Sequence, residues 1–126
     1  TDLFAVDRGG ESHVEISRTR QIIIIAPATA DTLARLAAGR ADDAVTAAVL
    51  CAACPVLIAP AMHPEMWGNA ATRRNVETLR GDPRVRLIGP QLGEVASGDQ
   101  GVGRLAEPDE IVAHAARHLV RGDLAG

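Results

Sequence analysis

Lysine and tyrosine are absent from this chain of 126 residues, which holds one phenylalanine, one tryptophan and two cysteines. All 13 basic residues are therefore arginine, and 16 acidic residues outweigh them to give a net charge of −3. That balance builds no broad positive surface for a phosphate backbone, so nucleic acid is not an expected partner. Also missing is an apolar run approaching the ~20 residues that cross a bilayer, and no membrane association is expected. Thr1-Asp2-Leu3-Phe4 offers no charged stretch leading into an apolar one, from which a cytoplasmic location is expected. With 47% hydrophobic and 23% charged residues, the composition is that of a folded chain with one core, expected as a single domain over 1–126. The cysteines, Cys51 and Cys54, form a lone C-x-x-C without the two further ligands that zinc needs. Two readings remain for them: small buried residues one turn apart near the end of an Ala-rich helix, or a redox dithiol.

What is present is a rhythm of short apolar runs and helical stretches. Gln21-Ile22-Ile23-Ile24-Ile25-Ala26, stopped by Pro27, and Pro55-Val56-Leu57-Ile58-Ala59, stopped by Pro60, read as parallel strands buried on both faces. Val85-Arg86-Leu87-Ile88 reads as a third strand nearer an edge, because Arg86 interrupts it. Residues 31–54 have room for two helices, with Gly39 as a stop and Asp42 or Asp43 as a new N-cap. Asn69 to Leu79 reads as one helix. Pro108 opens a last one, striped by Ile111, Val112, Ala115, Leu119 and Val120 and ending near Gly122. Alternating strands and helices predict an α/β fold, a three-layer α/β/α sandwich around a parallel sheet. The stretch from Gly89 to Ala106, with five glycines, is expected to be irregular: a flap over a ligand, or a plain surface connection.

Ligands of open α/β sheets lie beyond the carboxyl ends of the strands, which directs attention to two loops. Ala26-Pro27-Ala28-Thr29-Ala30-Asp31-Thr32 sets small residues and hydroxyls before a helix, a surface suited to a flat ring or an anion; the alternative reading of Asp31 is a plain N-cap. Ala59 to Trp67 gathers both methionines, His63 and Trp67 into one turn. A packed corner accounts for Met66 and Trp67 but not for a histidine between Met62 and Pro64. Ser12-His13-Val14-Glu15 matches a capping box, which predicts His13 in the first turn of a helix, where the dipole favours a neutral imidazole. His114 and His118 are four apart with no third metal ligand in view and are expected to be solvated. Gly98-Asp99-Gln100-Gly101-Val102-Gly103 follows no strand and is a poor phosphate signal, and no P-loop or G-x-S-x-G is present.

Taken together, five segments resemble, in order and spacing, the homo-oligomeric flavin-containing cysteine decarboxylases. They are His13 to Ser17, Ala26 to Thr32, Ala41-Asp42-Asp43, Pro60 to Trp67 and Ala96 to Arg104. The resemblance runs from about Thr1 to Val120, and the P-A-M-x-x-x-M-W element at 60–67 is its most specific part. It implies a Rossmann-like, flavodoxin-like fold and an FMN cofactor held between Pro27, Ala28, Thr29, Ala30, Asp31 and Thr32 of one subunit and Pro60, Ala61 and Met62 of a neighbour. The resemblance also implies a homo-oligomer, a trimer or a dodecamer. The resemblance further implies that His13 stands over the flavin and handles the thiol proton, that His63 holds the substrate carboxylate, and that Met66, Val95 and Ala96 contact the substrate. Glu94 to Gly98 would close over it.

The sequence departs from the family pattern at three places. His63 stands where the family usually has Asn; it still offers a hydrogen bond to a carboxylate. Ser97 stands where the branch of coenzyme A synthesis often has the Cys that returns a proton to the product, and a hydroxyl is a weaker acid. The family's first strand, its Gly/Ser-rich turn for the flavin phosphate and a further β-α unit have no counterpart here. An N-terminal segment or companion chain is therefore expected to supply the phosphate site. The implied function is flavin-dependent decarboxylation of a cysteinyl carboxylate, phosphopantothenoylcysteine in the coenzyme A branch or a C-terminal cysteine in the peptide-tailoring branch. A catalytically silent flavin-binding regulator is the reading from a different class.

Overall fold

The computed structural model describes residues 3–7, 13–17 and 22–125, with side chains from 22 to 118. Its five-stranded sheet is ordered β1 (Leu3–Asp7), β2 (His13–Ser17), β3 (Ile23–Ala28), β4 (Val56–Pro60) and β5 (Val85–Leu87). The last three strands run parallel, as their continuous β-branched and aliphatic runs predict. The first two were not foreseen: β1 pairs antiparallel with β2, and β2 antiparallel with β3. The helix expected from Ser12-His13-Val14-Glu15 is therefore overturned. His13-Val14-Glu15-Ile16-Ser17 alternates polar and apolar residues with period two, and that strand signal prevails over the capping-box pattern. Ser12 itself, and the Gln21 expected to open β3, lie outside the described residues.

Each central strand feeds two cores. Ile23, Ile25, Val56, Ile58 and Val85 face one side, where they pack with Leu33 and Leu36 of α1 (Ala30–Ala37), Val45 and Val49 of α2 (Ala44–Cys51), and Val76 and Leu79 of α4 (Ala70–Arg80). Ile22, Leu57, Ala59 and Ile88 face the other, against Ala106 and against Ile111 and Ala115 of α5 (Pro108–Ala125). This is the expected α/β/α layering. Each fully buried Ile or Leu contributes about 1.5–3 kcal/mol, so β3 and β4 form a rigid floor for whatever their loops carry. Arg86 is exposed on β5, which is an edge strand as expected. Val112 is not part of the α5 stripe; it is largely exposed.

Local chemistry sets the boundaries. Gly39 takes φ +70° after α1, and Asp43, not Asp42, caps α2. The Thr46 amide donates to Asp43 Oδ1 at 2.8 Å and the Asp43 amide donates to Thr46 Oγ1 at 3.3 Å, a complete capping box that Arg35 reinforces from α1. A short α3 (Pro64–Gly68), absent from the sequence expectations, precedes α4. The stretch expected to be irregular is instead a hairpin, β6 (Gln91–Glu94) against β7 (Gln100–Arg104), whose Gly101 and Gly103 let β7 pass close to Pro64 and Met62. The final helix continues past Gly122 to Ala125.

The Thr46 amide, above all, holds the Asp43 carboxyl down to about 2. A folded-state pKa below the unfolded value means that the carboxylate stabilises the chain above about pH 4 and loses that contribution as pH falls toward about 2. Asp43→Ala is expected to cost about 1–2 kcal/mol at neutral pH in chemical denaturation, with a smaller difference from wild type at about pH 2.

Candidate active site

Two consecutive amides after β4 build the site. The Ala61 amide donates to the Ala28 carbonyl at 3.0 Å, which ties the end of β4 to the end of β3. The Met62 amide donates to the Gly103 carbonyl at 2.8 Å, which ties the same turn to β7. On the β3 side, Thr29 rather than Asp31 caps α1: its Oγ1 accepts the Thr32 amide at 3.1 Å and lies 3.0 Å from the Thr32 hydroxyl. Asp31 points into solvent from the first turn, while Pro27, Ala30 and Thr32 are half-buried and Ala28 is buried. The result is a lip of small residues edged by two hydroxyls.

On the β4 side, Pro64 starts α3 and fixes His63 just before it. A cavity of about 420 Å³ opens here, walled by Ala61, Met62 and His63 on one side and by Glu94, Val95, Ala96 and Ser97 on the other, with Gly103 to Leu105 closing it. That volume suits a small organic ligand. At its mouth His63 Nδ1 accepts the Glu65 amide at 3.1 Å, so the ring proton sits on Nε2. Nε2–H donates to Asp99 Oδ2 at 2.9 Å, and Ser97 Oγ–H donates to the same oxygen at 2.8 Å. Those two bonds, the serine's first, hold the Asp99 carboxyl below the ordinary carboxylate range.

Of the residues singled out in the sequence, Ala61, Met62, His63, Val95, Ala96 and Ser97 meet at this cavity, and 27–32 adjoin it through the Ala28–Ala61 bond. His13 comes to the same edge by another route than expected. With Val14 paired to Ile25, His13 stands level with Ala26, at the carboxyl end of β3. The dipole argument for its neutrality lapses with the helix. Met66 does not line the cavity and is half exposed on α3, whereas Trp67 packs into the first core with Arg73 over its ring at 5.9 Å.

Asp99 and Gly103 were missed as site residues. Both lie in the glycine-rich stretch expected as a flap over a ligand and as part of the family resemblance, but neither residue was singled out within it. A Cβ on Gly103 would stand 2.1 Å from the Met62 carbonyl oxygen, and one on Gly101 2.7 Å from Pro64 Cγ, so the glycines mark where β7 presses on the His63 turn. Away from the site, the cysteines depart from the buried expectation: Cys51 is exposed at the end of α2 and Cys54 lies half-buried beyond it, its thiol pushed up by burial. His114 Nδ1 lies 2.9 Å from Arg117 Nη2, and no metal-binding cluster occurs among the described residues.

Helices on both faces of a sheet with three parallel strands, and a cavity at the carboxyl ends of those strands, define a protein of the flavodoxin-like class. The chain belongs to the Flavoprotein family, whose model matches residues 2–120. It is 50% identical over 123 residues to the coenzyme A biosynthesis bifunctional protein CoaBC of Mycobacterium tuberculosis (strain ATCC 25618 / H37Rv), which covers 98% of this chain and 29% of that protein. Among solved structures, it is similar to a cysteine-to-serine mutant of PPC decarboxylase complexed with pantothenoylaminoethenethiol. The TM-score is 0.72 and the identity 35%, over 76% of this chain and 53% of that one. It is also similar to the FMN-dependent cysteine decarboxylase SpaF, with TM-score 0.66 and 36% identity over 81% of this chain and 52% of the other. The chain thus spans under a third of the curated relative and about half of each solved one. The family drawn from the motifs is borne out.

Gly103→Ala is expected to break the Met62–Gly103 bond while sparing the sheet. Amide hydrogen exchange should show Met62 and residues 91–104 exchanging about tenfold faster or more, with the β3 and β4 amides unchanged.

Proposed function

We propose that this chain forms part of an FMN-dependent decarboxylase that converts 4'-phosphopantothenoylcysteine to 4'-phosphopantetheine in coenzyme A biosynthesis. The observation that carries the reading is the placement of His63 and Ser97 at the mouth of a mainly apolar cavity, beside a lip of small residues. The similarity to CoaBC and PPC decarboxylase supports the same substrate.

A flavin fits the lip. Ala28, Ala30 and Ala61 add no bulk against a flat ring, and the Thr29 and Thr32 hydroxyls can meet its polar edge. Pro27 to Thr32, Ala61 and Met62 would hold it. When bound, it supplies a two-electron acceptor for the thiol-bearing carbon, which makes loss of the neighbouring carboxyl feasible. The chain's own residues do the rest. His63 donates Nε2–H to the substrate carboxylate and fixes its orientation. His13, at the same sheet edge, takes the thiol proton. Val95 and Ala96 cover the substrate and limit water. Met66, outside the cavity, gives no support to the substrate contact expected of it. A homo-oligomer, trimer or dodecamer, and an N-terminal segment or companion chain for the flavin phosphate belong to the same proposal.

A second reading is favoured by Ser97. Its hydroxyl donates to Asp99 and has no partner that would make it an acid, so an enethiol product, as from a peptide C-terminal cysteine, is the alternative. Product masses separate the two: loss of carbon dioxide alone for the thiol, loss of carbon dioxide and two hydrogens for the enethiol.

Full-length protein is expected to be yellow, with near-ultraviolet and blue absorption bands released on heating. His13→Asn should stay yellow and lose about 10²–10⁴-fold in turnover; unchanged turnover would remove His13 from the mechanism. His63→Ala should raise KM about tenfold or more, and His63→Asn should recover most of that loss. A protein that stays colourless with added FMN would overturn the reading.

A further inference from the structure

The hairpin tip is closed on itself and then latched. The Val95 amide donates to the Asp99 carbonyl at 3.0 Å and the Gly98 amide to the Val95 carbonyl at 2.9 Å, which makes a tight turn independent of the Asp99 side chain. The side chain reaches across to His63, 36 residues away in sequence. It is 60% exposed, yet one of its oxygens accepts two protons, from His63 Nε2 and Ser97 Oγ. Two donors from different elements thus converge on one carboxylate oxygen. A second carboxylate cannot share them, because two anions at that spacing repel each other. A ligand carboxylate that uses His63 must therefore displace the one already there.

We propose that Asp99 is a built-in stand-in for the substrate carboxylate, filling the two-donor position on His63 and Ser97 while the cavity is empty, and that the cysteinyl carboxylate binds by exchanging with it. The inference rests on the decarboxylase reading above and adds a positioning residue to it. Exchange of one carboxylate for another on the same donors preserves both hydrogen bonds, so it opens the 95–99 tip at little cost to a ligand with a free carboxylate. A neutral ligand gains nothing to offset the two bonds it would break. Asp99 thereby selects for the group that the reaction removes.

The experiment uses the full-length, flavin-loaded protein and its Asp99→Ala variant. The probes are N-pantothenoylserine, whose hydroxyl cannot enter thiol chemistry, and its carboxamide. Removing the internal competitor is expected to tighten binding of the carboxylate about fivefold and to leave the carboxamide unchanged, as a population shift of the mouth requires. In the ligand-free state, the amides of 95–99 should exchange faster by about the same factor. Weaker binding of the carboxylate by the variant, or equal changes for both probes, would overturn the exchange and leave Asp99 as a structural residue. Unchanged tip exchange would overturn the latch while leaving the decarboxylase reading intact. Failure of both proteins to bind the carboxylate, with tip exchange accelerated as expected, would instead remove the substrate assignment.

Discussion

The site depends on the chain leaving β4 being held from two sides at once. Successive amides, those of Ala61 and Met62, bond to the carbonyls of Ala28 and Gly103. One belongs to the end of β3 and the other to the hairpin, so a single extended turn joins the floor of the fold to its cover. Everything after Met62 inherits its position from that turn. Pro64 cannot donate a backbone hydrogen bond and starts α3 at once, and His63 is left at the junction with one ring nitrogen satisfied by the Glu65 amide. A histidine so fixed presents its other nitrogen to the cavity with little conformational freedom left to lose.

This explains why stability and chemistry are separated along the chain. The four-residue run Val56-Leu57-Ile58-Ala59 is fully buried and divides its side chains between two cores, while four residues later the same chain reaches the polar, half-buried His63. At β4 the strand supplies the energy and the loop after it the reactive group, an arrangement that tolerates change in the loop. The same holds at β3, where Ile23 and Ile25 are core residues and Thr29 and Thr32 are hydroxyls at a helix start.

The parallel strands and the layers were legible because runs such as Ile22 to Ile25 have a single physical use, burial on both faces. The edge position of β5 was legible from Arg86 alone. His63 and Ser97 could be named from motif and loop position, while the cap of α2 stayed open between Asp42 and Asp43 until the contact with Thr46 decided it. Other features were hidden for definite reasons. Ser12 to Glu15 fits a helix-capping pattern and the overlapping His13 to Ser17 a strand alternation, and the pairing of Val14 to Ile16 with Ile23 to Ile25 decides between them. The hairpin was hidden because glycine weakens strand signals, although here glycine is required where β7 crosses the Met62 carbonyl. Asp99 was hidden because its partner His63 is distant in sequence, and no local spacing encodes a contact made by two loops folding together.

Serine, histidine and aspartate side by side at a cavity mouth invite comparison with a hydrolytic triad, and the hydrogen-bond directions argue against it. In a triad the serine gives its proton to the histidine, and the histidine's other nitrogen donates to the aspartate. Here Ser97 and His63 both donate to Asp99, and the remaining imidazole nitrogen is occupied by the Glu65 amide. His63 has no free nitrogen to take the Ser97 proton, so the three residues do not form a triad. Two donors aimed at one carboxylate oxygen constitute a receptor for an anion. The same three residue types that cleave bonds in one geometry are arranged in this one with both donors turned toward a carboxylate, as the proposed recognition of a substrate carboxyl group requires.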